Sequence, residues 1–271
     1  MVGREHELAQ LETALTALDG GSSPCVALEG EAGIGKTRLL TELRELADAR
    51  GHLVLSGQAA EFERDVPFSV WVDALDAYVA SQGIEAGDDL APLLPSLFRA
   101  GARGEAVAEE RYRTHRAARS LLETLAGSQP LVLVLDDLHW SDAASIEMIA
   151  ALLRRGPDAR VMLALAFRRG QAPPRLEAAL AGPSVVRLEL AELDREAAAK
   201  LLGDLDPRAV AALYRDAGGN PFYLEQLARG RGAAGPAAQH QAAGVPAAVA
   251  ASLAEELEAL ASDERALLAG A

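Results

Sequence analysis

Gly30-Glu31-Ala32-Gly33-Ile34-Gly35-Lys36-Thr37 is the stretch on which the reading of this chain turns. It fits the pattern of a glycine, four residues, then Gly-Lys-Ser/Thr in full. The apolar run Cys25-Val26-Ala27-Leu28 leads in and the helical run from Arg38 to Leu46 leads out, so the pattern sits between a strand and a helix. Glycine allows positive φ and close approach of the backbone to a ligand. Successive N–H groups can then face one concavity suited to phosphate oxygens. The helix that follows adds unpaired N–H groups and the positive end of its dipole. In this pattern Lys36 reaches the β- and γ-phosphates and the Thr37 hydroxyl ligates Mg²⁺. The alternative is a glycine turn with a solvated lysine, which the full pattern in its setting outweighs.

Outward from the loop, Leu8, Leu11, Leu15 and Leu18 mark one face of a first helix over residues 5–18. A Gly/Ser/Pro turn at 19–24 ends it. The helix after Thr37 stops near Arg50 at Gly51. Residues 52–57 read as a second strand, 61–65 as a polar loop and 67–80 as a helix whose apolar face carries Phe68, Trp71, Val72, Leu75 and Val79. Residues 81–104 hold several Gly and Pro; 105–125 read as a long helix. Leu131-Val132-Leu133-Val134-Leu135 is apolar on both parities, as expected of a parallel strand buried on both faces. Residues 142–154 make a further helix, and 160–167 and 184–190 are the fourth and fifth strands. Five strands separated by helices imply right-handed crossovers and a three-layer α/β sandwich with a parallel sheet.

After Leu190 the texture becomes helical: 194–202, 206–217 and 221–229. A core over 1–190 is therefore followed by a small all-helical domain over 191–229. Residues 230–244, rich in Gly, Ala and Gln, read as a flexible linker. Periodicity returns over 245–268, and the ending without a cap reads as a cut through a larger protein.

The totals narrow the function. The 271 residues allow one or two domains with a sizeable core. A formal net charge of −14 gives no overall pull toward nucleic acid or an anionic membrane. Arg99, Arg103, Arg111, Arg113, Arg116 and Arg119 cluster, but Glu105, Glu109, Glu110 and Glu123 lie among them, so the region reads as a solvated helix face. No apolar run is long enough to span a bilayer, and the opening Met1-Val2-Gly3-Arg4-Glu5 lacks a signal-peptide core. The single Cys25 excludes an internal disulfide framework and points to a reducing, cytoplasmic setting.

A second constellation closes the third strand: Asp136-Asp137-Leu138-His139-Trp140. Beside a phosphate loop, an acid at the end of a buried strand holds Mg²⁺. Asp136 takes that role, through water, because Mg²⁺ keeps much of its hydration. Asp137 would polarise an attacking water. His139 and Trp140 would sense the γ-phosphate or simply pack, and packing suits Trp140.

With these residues in place the chain resembles the STAND-class ATPases related to AAA+ proteins. Met1–Glu5, the phosphate loop, Leu135-Asp136-Asp137-Leu138-His139-Trp140-Ser141-Asp142 and Gly218-Gly219-Asn220-Pro221-Phe222-Tyr223-Leu224 carry the likeness. It is greatest to the ATPase module of large LuxR-type, ATP-binding bacterial transcriptional regulators. Similar modules occur in signalling proteins with other outputs.

The resemblance implies a P-loop NTPase core that binds ATP or ADP with Mg²⁺. Gly30, Gly33, Ile34, Gly35, Lys36, Thr37 and Arg38 would line the phosphates, and Val2, Gly3 and Arg4 would sit near the adenine and ribose. Arg168 would face the γ-phosphate, and Pro221 would press on the adenine. Lys36, Asp137 and Arg168 would form the catalytic set, with Thr37 and Asp136 at the metal. Each also has a plain alternative: Arg4 as an ion-pair partner, Arg168 as a surface charge, Pro221 as an ordinary helix start. No arginine is assigned as a finger for a neighbour's site. The likeness further implies a slow ATPase that works as a switch, nucleotide-dependent self-association, and a winged-helix segment beginning at Val245. Sensor and DNA-binding regions would lie outside this chain. A ring-forming remodelling ATPase and a P-loop phosphotransferase are the competing functions.

Overall fold

The computed structural model describes residues 1–84, 87–96 and 108–233. Five strands form one sheet: β1 (Cys25–Gly30), β2 (Leu53–Gln58), β3 (Leu131–Asp136), β4 (Val161–Arg168) and β5 (Val185–Glu189). Their order is β2-β3-β4-β1-β5, and every neighbouring pair is parallel. β1 and β3 are buried at every position and β4 at all but its last. Being central, they bury both faces, which explains their unbroken apolar sequences. β5 is an edge strand in which Leu188 alone is buried; its Arg187 bonds Glu29 at 2.6 Å and Glu177 at 2.9 Å.

Helices cover both faces. On one, Ala27, Leu133, Leu135, Leu163, Leu165 and Phe167 pack with Trp71 and Leu75 of α3 (Ser69–Gln82). The same cluster takes Leu121 and Leu122 of α4 (Ala108–Leu125), Ile146 and Ile149 of α5 (Ala143–Arg154), and Leu176 of α6 (Pro174–Leu180). On the other, Val26, Leu28, Val132, Val134, Met162 and Ala164 are equally buried. So are the apolar sides of α1 (Glu5–Asp19) and α2 (Lys36–Ala49). The expected three-layer α/β sandwich with a five-stranded parallel sheet is present.

The described residues pack as two units: those of His6–Gly30 with those of Lys36–Glu189, and Met1–Glu5 with Glu31–Gly35 and the described residues from Leu190 to Ala233. The second holds α7 (Arg195–Leu202), α8 (Pro207–Ala217) and α9 (Pro221–Ala233). Their core is Leu193, Ala197, Ala198, Leu213, Ala217 and Leu224, with Val2 packed against it. Asp194 and Asp206 accept from backbone N–H groups at the starts of α7 and α8, as N-caps do.

Some expected bounds shift. α3 begins at Ser69 rather than 67, because Phe68 stands at its N-cap in a left-handed conformation with φ 62°. α6 has no counterpart in the sequence reading: Pro173-Pro174 looks like a break, yet proline at the first turn starts a helix. α9 runs to Ala233, so 230–233 are helix, not linker. The polar loop at 61–65 contains a 3-10 turn, Glu61–Glu63. The remainder of the expected linker, 234–244, and the winged-helix segment from Val245 lie outside the described residues, as do the helix residues 105–107.

Candidate nucleotide-binding site

All five strands run the same way, so Gly30, Gln58, Asp136, Arg168 and Glu189 end along one edge of the sheet. Ligands of open α/β sheets bind at that edge. The register places Gly30 opposite Arg168 and Gln58 opposite Asp136.

The loop from β1 into α2 makes its turn with Gly33 at φ 70° and Gly35 at φ 105°, values that side chains disfavour. Lys36, the first residue of α2, is buried and donates from Nζ to the Gly30 carbonyl at 2.8 Å. The Thr37 hydroxyl donates to Asp136 Oδ2 at 2.6 Å. Asp136 Oδ1 accepts the N–H of Asp137 at 2.8 Å. Burial and the neighbouring Asp137 carboxylate push the Asp136 pKa up, while Thr37, that N–H and Lys36 pull it down. A hydroxyl and a carboxylate oxygen in contact form a hard oxygen donor pair, which suits Mg²⁺ completed by phosphate and water.

Asp137 has a left-handed backbone, φ 54°, uncommon for a residue other than glycine. The turn aims its carboxylate at Gln58, whose Nε2 donates to Oδ2 at 2.8 Å. Gln58 was not singled out in the sequence; only the register of β2 against β3 brings it there. His139 is buried in the 3-10 turn Leu138–Trp140. Its Nδ1 lies 4.0 Å from Asp137 Oδ1, and neither ring nitrogen has a hydrogen-bond partner among the described residues. Burial, then Arg168, Lys36 and Arg64, pull its pKa down to about 3, so the ring is neutral at pH 7.

Two guanidinium groups converge on the Trp140 ring, Arg64 at 4.1 Å from its centroid and Arg168 at 5.7 Å. Arg64 was also not anticipated, since it lies in a stretch read only as polar. The structure thus gathers Lys36, Thr37, Asp136, Asp137, His139 and Arg168 on one sheet edge. Arg38 is different: it is exposed and pairs with Glu42 at 2.8 Å along α2.

Elsewhere Val2 lies against the helical cluster. Gly3 has φ 66°, and a Cβ there would stand 2.5 Å from that of Ala197. Arg4 is buried and donates to the carbonyls of Ile34 at 3.1 Å and Ala191 at 2.6 Å. Ile34 is fully buried, and Pro221 is the first residue of α9. Asn220, just before it, is buried and donates from Nδ2 to the Ala32 carbonyl at 2.8 Å. Sequence reasoning quoted Asn220 within its run but gave it no role.

A parallel α/β sheet with the glycine-rich pattern of residues 30–37 after its first strand and an acid closing its third defines a P-loop NTPase-like fold. The model of the AAA ATPase domain family matches residues 1–165, and the chain belongs to that family. An uncharacterized protein of Rhizobium meliloti (strain 1021) is 25% identical, the match covering 84% of this chain and 24% of that protein. The Orc1 protein of Aeropyrum pernix, solved in complex with DNA, has a TM-score of 0.54 at 21% identity over 94% of this chain and 66% of its own. A STAND protein of Pyrococcus horikoshii with a tetratricopeptide repeat sensor has a TM-score of 0.48 at 19% identity over 99% of this chain and 34% of its own. The chain spans about a quarter of the curated relative's length. Among the described residues no helix is long and apolar enough to cross a membrane.

Proposed function

We propose that this chain is a nucleotide-operated switch: it binds ATP or ADP with Mg²⁺ at the 30–37 loop and hydrolyses ATP slowly. The observation that carries the reading is the meeting of the Thr37 hydroxyl with Asp136 at 2.6 Å beside the buried Lys36 ammonium. Lys36 supplies positive charge to the β- and γ-phosphates, and the N–H groups of the loop and of the first turn of α2 donate to the anion. Thr37 and Asp136 would hold Mg²⁺, which would supply charge to neutralise the phosphates. Asp137, fixed by Gln58, orients the attacking water, and Arg168 faces the terminal phosphate. Val2, Gly3, Arg4 and Pro221 border the adenine and ribose. The γ-phosphate adds contacts in one nucleotide state only, and that difference biases the protein between two conformations.

In this reading residues 1–190 are the ATPase core, 191–229 a helical lid, and the whole is the regulatory module of a signal-responsive bacterial transcriptional regulator. The order of the four sequence motifs supports it. DNA contact belongs to other regions, in keeping with the net charge of −14. Membership of the AAA ATPase domain family favours one second reading, a remodelling ATPase that assembles into a ring.

The test is a titration of wild type and Lys36→Ala with fluorescent ATP and Mg²⁺. Wild type binds and the variant loses at least about tenfold in affinity, as befits a charge-assisted contact. Equal affinity sinks the proposal. Sedimentation with ATP separates the two functions: a hexamer with fast turnover selects the ring, and slow turnover without a ring selects the switch.

A further inference from the structure

Three consecutive carbonyls of the phosphate loop are held from residues remote in sequence. The Ala32 carbonyl accepts from Asn220 Nδ2 at 2.8 Å, the Gly33 carbonyl from the Phe222 N–H at 3.3 Å, and the Ile34 carbonyl from the Arg4 guanidinium at 3.1 Å. These residues all belong to one packed unit with Glu31–Gly35. The Asn220 amide is oriented without ambiguity, because its Oδ1 accepts the N–H of Phe222 at 3.1 Å while its Nδ2 faces a carbonyl. The fit is close: a Cβ on Gly33 would come within 2.7 Å of Phe222 Cβ and 3.1 Å of Asn220 Oδ1. Gly219, with φ 84°, brings the chain to this point; a Cβ there would lie 2.6 Å from the Leu193 carbonyl.

A trans peptide is planar, with its C=O and N–H pointing in opposite directions. Holding the Ala32 and Ile34 carbonyls therefore turns the N–H groups of Gly33 and Gly35 the other way. The peptide between them is fixed at both ends, its carbonyl by Phe222 and its Ile34 N–H by the Glu31 carbonyl at 3.3 Å. We infer that Asn220 and Arg4 are positioning residues that set the peptide planes of the phosphate loop, aiming the Gly33 and Gly35 N–H groups at the polyphosphate. This rests on the reading of residues 30–37 as a phosphate site. It gives Arg4 a task at the loop backbone and Asn220 a task of its own. A loop already turned toward its anion does not have to reorganise on binding, and preorganisation of that kind raises affinity.

The discriminating variant is Asn220→Asp. It keeps the acceptor for the Phe222 N–H but sets a carboxylate oxygen against the Ala32 carbonyl. Wild type, Asn220→Asp, Arg4→Lys and Lys36→Ala are titrated with fluorescent ADP and ATP plus Mg²⁺, and amide exchange over residues 31–36 is followed without nucleotide. Asn220→Asp is expected to bind both nucleotides about tenfold more weakly by the same factor, with faster exchange at Ile34, whose N–H is bonded to the Glu31 carbonyl, and unchanged far-ultraviolet circular dichroism. Wild-type affinity and exchange in Asn220→Asp and Arg4→Lys, with binding lost in Lys36→Ala, overturn the inference and leave the phosphate site standing. Wild-type affinity in Lys36→Ala removes the phosphate site and the inference with it. If Asn220→Asp does not fold, Arg4→Lys decides by the same two readouts.

Discussion

The Thr37 hydroxyl donates to Asp136 Oδ2 at 2.6 Å although 99 residues separate the two. The strands that carry them toward each other are not neighbours, since β4 lies between β1 and β3. Parallel direction brings both to the same edge, and the start of α2 extends Thr37 across the intervening strand's end. The pair is thus a product of strand order, and it makes the proposed metal site testable. Thr37→Val and Asp136→Asn should each lose at least about tenfold in ATP affinity with Mg²⁺ present, while binding in EDTA changes little. A calorimetric titration in both conditions checks this; equal losses with and without Mg²⁺ would remove the metal assignment.

His139 should make the fold acid-sensitive. Its folded-state pKa of about 3 lies below the ordinary 6.5, so the unfolded chain takes up the proton first as pH falls. Stability therefore drops between pH 6.5 and about 3, at up to about 1.4 kcal/mol per pH unit. Between pH 7 and pH 5 wild type should lose about 1–2 kcal/mol more than His139→Asn in urea melts. The raised pKa of Asp136 acts in the opposite sense and is common to both proteins, so it cancels in the difference. Parallel pH dependences would show that His139 is not held neutral.

Asp142 ties two helices together. Its Oδ1 accepts the N–H of Ser145 at 2.9 Å, capping α5, and the N–H of Phe68 at 3.1 Å, at the start of α3; its Oδ2 accepts the Ser145 hydroxyl at 2.5 Å. Phe68 is held at positive φ there, an uncommon state for an aromatic residue. Asp142→Ala should destabilise by about 2–4 kcal/mol, one lost cap plus a buried N–H left without a partner. Asp142→Asn, which retains an acceptor, should lose clearly less. Similar melting temperatures for the two variants would refute this.

Gly57 lies where α3 crosses β2. A Cβ there would stand 2.1 Å from the Val70 carbonyl, a backbone atom that cannot turn aside. Gly57→Ala should destabilise by about 3 kcal/mol or more, whereas Gly87→Ala, with nothing within 4 Å among the described residues, should stay within about 0.5 kcal/mol of wild type. Thermal melts of both decide it.

Local chemistry was enough to read most of the fold. The glycine-rich pattern at 30–37 is contiguous, the central strands are apolar on both parities because both faces are buried, and Asp136 closes such a run. Gly51 follows the helix it ends for a backbone reason that operates at one position. α6 escaped because two prolines mark both a break and a start. Strand order, the pairing of Gln58 with Asp137, the convergence of Arg64 and Arg168 on Trp140, and the grip of Asn220 and Arg4 on the loop carbonyls came only with tertiary structure. Each joins residues whose separation along the chain carries no periodic signal. Side-chain type records what a residue can bond, while its partner is set by which strands and helices pack together.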